Sequence, residues 1–226
     1  MRKLITTILT LSILATGTAF ASPTVDFEKG AVIFEVGTAV HSKVSGKGHL
    51  AVSADGKSGY KYAVTAGLGN NLALQFKPGH FKSEDSTVTL PGLGSLTTYA
   101  ESNLIDINLL YKINPHLTLI TGYEHDKISY GNYVTPASKS SLHIGLTATH
   151  SLGKNTDLFA TLIAGKDVSL REIGISQKLS SVSTLNVSYA DRRFNNVDLA
   201  IPIGPGFYDK MDYKTTGITC LLDFKM

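Results

Sequence analysis

The 226-residue sequence predicts an all-β protein, a single antiparallel up-and-down barrel that crosses a membrane with about ten strands, eight being the alternative count. Three observations predict it. The chain opens on a secretion signal, continues in alternating apolar and polar residues joined by compact turn motifs, and shows no later apolar run long enough for a spanning helix.

The signal comes first. Arg2 and Lys3 precede an apolar stretch from Leu4 to Ala15, and the small-residue pattern Ala19-Phe20-Ala21 stands before Ser22. The apolar stretch is shorter than the roughly 20 residues of a spanning helix, so a signal peptide over residues 1–21, cleaved after Ala21, is expected. The barrel domain is then residues 22–226. Losing Arg2 and Lys3 brings the 21 basic residues down to 19 against 18 acidic ones, which removes any basic footprint for nucleic acid. Cys220 is the only cysteine, so no internal disulfide framework holds the fold. A mean hydropathy of +0.07 suits a barrel, in which only every second residue meets lipid.

The strands follow as hairpins. Four units read directly: Tyr60 to Phe76 around GNN, Ile105 to Tyr123 around NPH, Leu142 to Ala164 around GKNTD, and Glu172 to Tyr189 around SSVST. Gly, Asn, Pro and Ser at the joints supply the positive or fixed φ that tight connections need. An opening strand around Ala31 to Ser42 and a closing one around Asp212 to Met226 bring the total to ten. Between the units run longer polar segments, Lys43 to Gly59, Lys82 to Leu96, Ser129 to Ser140 and Asn195 to Met211, with a short link at Lys166-Asp167. Compact turns at one end and long loops at the other is the asymmetry of an outer-membrane barrel, with the turns and both termini on the periplasmic side.

The alternation has one sense throughout. Tyr60, Tyr62, Val64, Ala66 and Leu68 share a face opposite Lys61, Ala63, Thr65 and Gly67; Ile105, Ile107, Leu109, Tyr111 and Ile113 oppose Asp106, Asn108 and Lys112. A soluble barrel has the same period with its apolar face inward. Three features favour the lipid-facing arrangement. The polar face carries Glu35, Lys61, Lys77, Asp106, Lys112, Glu124, His143, Glu172, Lys178, Arg192 and Asp223, the inventory of a wet or salt-bridged lumen. Tyrosines gather toward strand ends, as at Tyr62, Tyr111 and Tyr123. The last stretch, Ile218, Cys220, Leu222, Phe224 and Met226, alternates apolar residues up to the carboxyl terminus.

With this pattern the chain resembles the small bacterial outer-membrane β-barrels, the group of opacity-type porins and the membrane domain of outer-membrane-protein-A-like proteins. The resemblance covers the whole chain after the signal and rests on pattern rather than on a unique motif. It implies residence in the bacterial outer membrane, contact with its lipid, and delivery by the barrel-assembly machinery. That machinery reads a terminal aromatic residue in such proteins; the position maps onto Met226, with Phe224 two residues earlier on the same face.

Function is less sharply written. Glu124-His125-Asp126 lies near the outer end of a strand, where a resemblance to omptin-type outer-membrane proteases would place an active site. Neighbouring strand residues face opposite ways, so Glu124 and Asp126 looking inward would send His125 toward lipid. His143 faces the lumen, while His80, His116 and His150 lie near strand ends without ligand spacing, and no metal or cofactor is expected. Pro91-Gly92-Leu93-Gly94 and Gly204-Pro205-Gly206 lack the Lys-Ser/Thr and helix of a phosphate loop. Tyr130, Tyr133, Phe207 and Tyr208 fall in external loops, where aromatics serve as recognition anchors for an extracellular ligand or fold the loops over the barrel mouth. The expectation is a non-enzymatic structural or surface-interaction barrel with its lumen mostly closed by charged side chains. A narrow porin-like channel, and a protease or lipid-modifying enzyme, are the alternatives.

Overall fold

The computed structural model describes residues 24–47, 52–57, 59–90, 94–131, 136–200 and 208–226. The expected signal peptide and its cleavage site lie outside the described residues. Thirteen strands follow in order: β1 (Val32–Lys47), β2 (Val52–Asp55), β3 (Gly59–Gly69), β4 (Leu72–Lys82), β5 (Ser86–Leu90), β6 (Gly94–Thr98), β7 (Ala100–Asn114), β8 (Leu117–Tyr130), β9 (Ala137–Ser151), β10 (Thr156–Gly165), β11 (Val168–Lys178), β12 (Ser183–Ala200) and β13 (Tyr208–Lys225).

Ten of these close into one antiparallel barrel. Each pairs with its sequence neighbour in the wall, and β13 returns to pair with β1 from Ile33↔Lys225 to Lys47↔Asp212, which leaves the wall without a free edge. The remaining three, β2 on β1 and the separate β5–β6 hairpin, belong to the segments between the wall strands. The GNN joint is a tight turn in which Asn70 and Asn71 both have positive φ, 52° and 64°, as a type I′ hairpin requires.

The long polar segments are shorter as loops than the sequence implies. β1 runs on to Lys47, β12 to Ala200, and β13 begins at Tyr208. Beyond the bilayer both faces of a strand are wet, so the alternation vanishes while the ladder to the neighbour continues. Two bulges also switch the facing parity. His41 (φ 47°) interrupts β1 between Val40 and Lys43, and Asn196 (φ 55°) interrupts β12 between Phe194 and Val197. In β1 the buried positions are odd-numbered below the bulge, as Ile33, Glu35 and Ala39, and even-numbered above it, as Ser42 and Val44.

The apolar face is outside. Val36, Tyr62, Val64, Leu74, Phe76, Ile105, Ile107, Leu109, Leu142, Ile144, Leu162 and Ile175 are all exposed large hydrophobics, a belt far too extensive for a water-soluble surface. Inside, Lys61, Ala63 and Thr65 alternate with them as buried residues. Cys220 shares the outer face with half-buried Ile218 and Leu222, flanked by the buried inward residues Thr219 and Leu221. A water-soluble maleimide should therefore label Cys220 slowly in the folded protein in lipid and fully after denaturation. Rapid labelling in the folded state would place the register one residue off.

Candidate functional site

The lumen is filled at several levels. Toward the end that carries the long connections the inward positions turn apolar, and Val44, Ala100, Leu104, Ile128, Val168, Phe194, Val197, Met211 and Tyr213 meet in one buried cluster. The sequence reading missed this plug. Val44 and Val197 lie beyond the parity switches, and the inward positions were expected to carry polar rather than apolar side chains.

Beneath the plug lies a charged layer. Glu35, Lys61, Lys77, Asp106, Glu124, Asp126, Glu172, Arg192 and Asp223 are all at most 6% exposed, so among the described residues the layer holds six carboxylates against three full cations. One group draws on β1, β3, β4, β12 and β13. Gln75 donates to Glu35 Oε1 (3.2 Å) and Thr65 Oγ1 (3.0 Å), Lys61 Nζ to Thr219 Oγ1 (3.0 Å), and Asn186 Nδ2 to Asp223 Oδ2 (2.7 Å). The other group spans the bore. Arg192 on β12 forms an ion pair with Glu124 on β8, with three wall strands between them, and its guanidinium lies 4.0 Å from Asp106 on β7.

His143 on β9 completes this second group, with Nε2 3.7 Å from Asp106 Oδ1 and 2.7 Å from Asn108 Oδ1. Gly122 makes that contact possible. A Cβ there would run into Asn108 Oδ1 and His143 Nε2. Asp126, two residues beyond Glu124, accepts from Ser102 Oγ at 2.6 Å. Asn108, Gln75 and Asn186 were readable from parity, being two residues from a charged position or alternate with other inward ones. Their partners were not, because those come from other strands.

Asp106, Glu124 and His143 bring ligand-type atoms within 4.8 Å of one another, three residues that could by type hold a divalent cation. The guanidinium of Arg192 stands at that position against both acids. A cavity of about 40 Å³, bordered by Asp126 and Arg192, adjoins the group and has room for water. His125 faces outward, its Nδ1 2.8 Å from Ser140 Oγ, and cannot join Glu124 or Asp126.

Lys112 and Lys178 stand apart from the layer. They are the inward residues near the compact-turn ends of their strands, and both line a vestibule of about 880 Å³ at that mouth of the barrel, Lys178 exposed and Lys112 with its Nζ 5.8 Å from the Phe27 ring. The side chains of Tyr130 and Tyr208, and all of Tyr133 and Phe207, lie outside the described residues.

The segment before β1 crosses this mouth. Val25 and Phe27 pack on a second apolar cluster formed by Ala73, Leu110, Ile120, Ile163, Leu170 and Ala190. Gly69 N donates to Phe27 O and Gly30 N to Gly67 O, and Gly67 has no side chain where the carbonyls of Asp26 and Glu28 pass. Asp26 forms an ion pair with Lys225. The hydrogen bond from Lys225 and that from the Glu28 amide hold its carboxyl below the ordinary 3.8. A carboxylate with a depressed native pKa stabilises the docked segment fully above its unfolded value and loses that contribution as pH falls through the native one. Protection of the Gly30 and Gly69 amides against exchange, relative to the intrinsic rate at each pH, should therefore be high at neutral pH and decline below 3.8. Lys225→Ala should lower the protection already at pH 7, and unchanged protection in that variant would dissociate the ion pair from docking.

No protein-family model matches this sequence, and no curated protein matches it. Solved structures do. The outer membrane protease OmpT of Escherichia coli aligns with a TM-score of 0.58 at 13% identity, over 91% of this chain and 100% of that one. Ail, the attachment invasion locus protein of Yersinia pestis, aligns with a TM-score of 0.43 at 10% identity, over 88% and 99%. Neisserial surface protein A aligns with a TM-score of 0.42 at 12% identity, over 88% and 100%. At such identities the likeness is one of fold, that of the bacterial outer-membrane β-barrels.

Proposed function

We propose that this chain, which has the fold of the bacterial outer-membrane β-barrels, is a non-enzymatic structural or surface-interaction protein whose lumen passes no solutes. The observation that carries the reading is the stacked filling of the bore, with the apolar plug above a charged layer in which Arg192 reaches Glu124 from the opposite wall. A barrel of about ten strands is narrow enough for long side chains to span it. On the extracellular side β1, β12 and β13 continue past the parity switches, and the β5–β6 hairpin adds further strand surface, all of it available for contact with an external partner. At the other end β13 offers its alternating terminal residues to the barrel-assembly machinery, with Phe224 as the aromatic of that face.

Against an enzyme stand the outward His125 and the enclosure of His143, Asp106 and Glu124 beside a cavity of only about 40 Å³. A catalytic base must reach a substrate proton to within hydrogen-bond distance, and the His143 side chain is fully buried. The test is planar-bilayer recording of the refolded protein, run beside peptide and lipid hydrolysis assays, and both are expected to be silent. Stable porin-like conductance would replace the reading with a channel. Hydrolysis abolished by Glu124→Gln, Asp126→Asn or His143→Ala would replace it with an enzyme.

A further inference from the structure

Among the described residues, cationic side chains gather on one side of the outer wall, just above the apolar belt. The strand register places outward residues of β11, β12, β13 and β1 in level rows. Ile173, Tyr189, Ile218 and Val40 form one row and are apolar. The next row toward the cell exterior is Arg171, Asp191, Thr216 and Lys43, and the one beyond it is Ser169, Arg193, Lys214 and Ser45. Two residues of strand separate successive same-face rows, roughly 7 Å, so the change from hydrocarbon-facing to cationic side chains is abrupt.

Within these rows Arg171, Lys43, Arg193 and Lys214 face outward, each flanked in its strand by inward neighbours such as Leu170, Glu172, Val44 and Tyr213. Asp191 organises two of them. Its carboxylate, 2% exposed although on the outer face, accepts from Arg193 Nε at 3.1 Å and lies 3.1 Å from Lys214 Nζ. Arg193 and Lys214 remain 45% and 32% exposed, so the clamp fixes both cations while leaving donors turned outward. The acids facing the patch are Asp191 itself and, across from Lys43 on β2, Asp55; Asp212 lies one row further out. On the opposite wall, the corresponding outward positions of β7 to β9 include Asn103, His125, Ser140, Lys127 and Glu101, where Lys127 faces an acid rather than a second cation in its own or the next row.

We propose that this four-strand patch binds a phosphate-bearing lipid headgroup of the outer leaflet. The position is that of a headgroup whose acyl chains lie on the apolar row beneath. Guanidinium forks match phosphate oxygens in pairs, and two arginines with two lysines suit a phosphomonoester better than a zwitterionic headgroup. Spanning four strands at about 4.8 Å spacing, the patch is wide enough to contact more than one phosphate. The inference rests on the membrane reading of the barrel, which heat-dependent gel migration checks separately.

The probe is phosphatidic acid against phosphatidylcholine, offered to the detergent-solubilised protein and read by native mass spectrometry. The unmodified protein should retain phosphatidic acid selectively, at least tenfold over phosphatidylcholine. Lys43→Gln combined with Arg171→Gln, which leaves the Asp191 clamp intact, should cut that selectivity severalfold. Asp191→Asn with Arg193→Gln and Lys214→Gln, which removes the clamp without stranding its acid, should do the same. Lys127→Gln on the opposite wall should leave it unchanged. Each variant is first shown to keep heat-dependent migration. Equal retention of both lipids by the unmodified protein, or undiminished selectivity in both patch variants, would overturn the proposal. Displacement of phosphatidic acid by millimolar inorganic phosphate or by a sulfated oligosaccharide would also overturn it, assigning the patch to a soluble anion.

Discussion

Arg192→Leu is expected to cost about 3–5 kcal/mol, because it removes the cation from a buried ion pair and leaves the acids in place. Glu124 and Asp106 are each 1% exposed, and Arg192 meets the first and approaches the second. The layer already holds more carboxylates than cations, so no surplus positive charge is at hand to replace the guanidinium. The loss should appear as a large drop in the temperature at which the compact, fast-migrating gel species disappears. Adding Glu124→Gln to the variant should recover part of the loss, since the charge that most needed the guanidinium is then gone. The two changes are thus strongly non-additive. An Arg192→Leu protein that unfolds at the unmodified temperature would mean that the contact across the bore does not hold the wall strands together.

Clearing the lumen is expected to open it only when two levels are cleared at once. The unmodified protein should show little or no conductance. Truncating Lys61, Lys77, Arg192, Glu35 and Glu172 together removes long side chains from the charged layer but leaves Phe194, Met211 and Tyr213 packed with Ile128 and Leu104 above it. That variant should still conduct poorly. Adding Phe194→Ala and Met211→Ala removes two large members of the plug and should produce discrete channel openings, in the fraction of protein that retains heat-dependent migration. Apolar constrictions resist ion passage by excluding water, so the plug is expected to dominate the resistance. Full conductance on clearing the charged layer alone would place the constriction there instead.

The barrel itself was legible in the sequence because its determinants are local. Alternation of period two fixes which residues share a face, and the GNN, NPH, GKNTD and SSVST joints fix where the chain reverses, so the hairpins and the outward Tyr60 to Leu68 face follow without tertiary information. The inward direction of Glu35, Lys61, Lys77, Asp106, Glu124, His143, Glu172, Arg192 and Asp223 is of the same kind. Which of them meet was decided only by closure. Arg192 reaches Glu124 because β12 and β8 face each other across the bore, and His143 reaches Asn108 because Gly122 leaves the space between them. The bulges at His41 and Asn196 escaped the sequence because each inserts a single residue whose positive φ is tolerated by the partner strand rather than demanded by a local motif. Past them the parity inverts and Val44 and Val197 turn into the plug. Pattern along a strand thus determined the wall and its two faces. The contents of the lumen, its apolar plug and its crossing ion pair, depended on distances between strands far apart in sequence, which only the closed barrel sets.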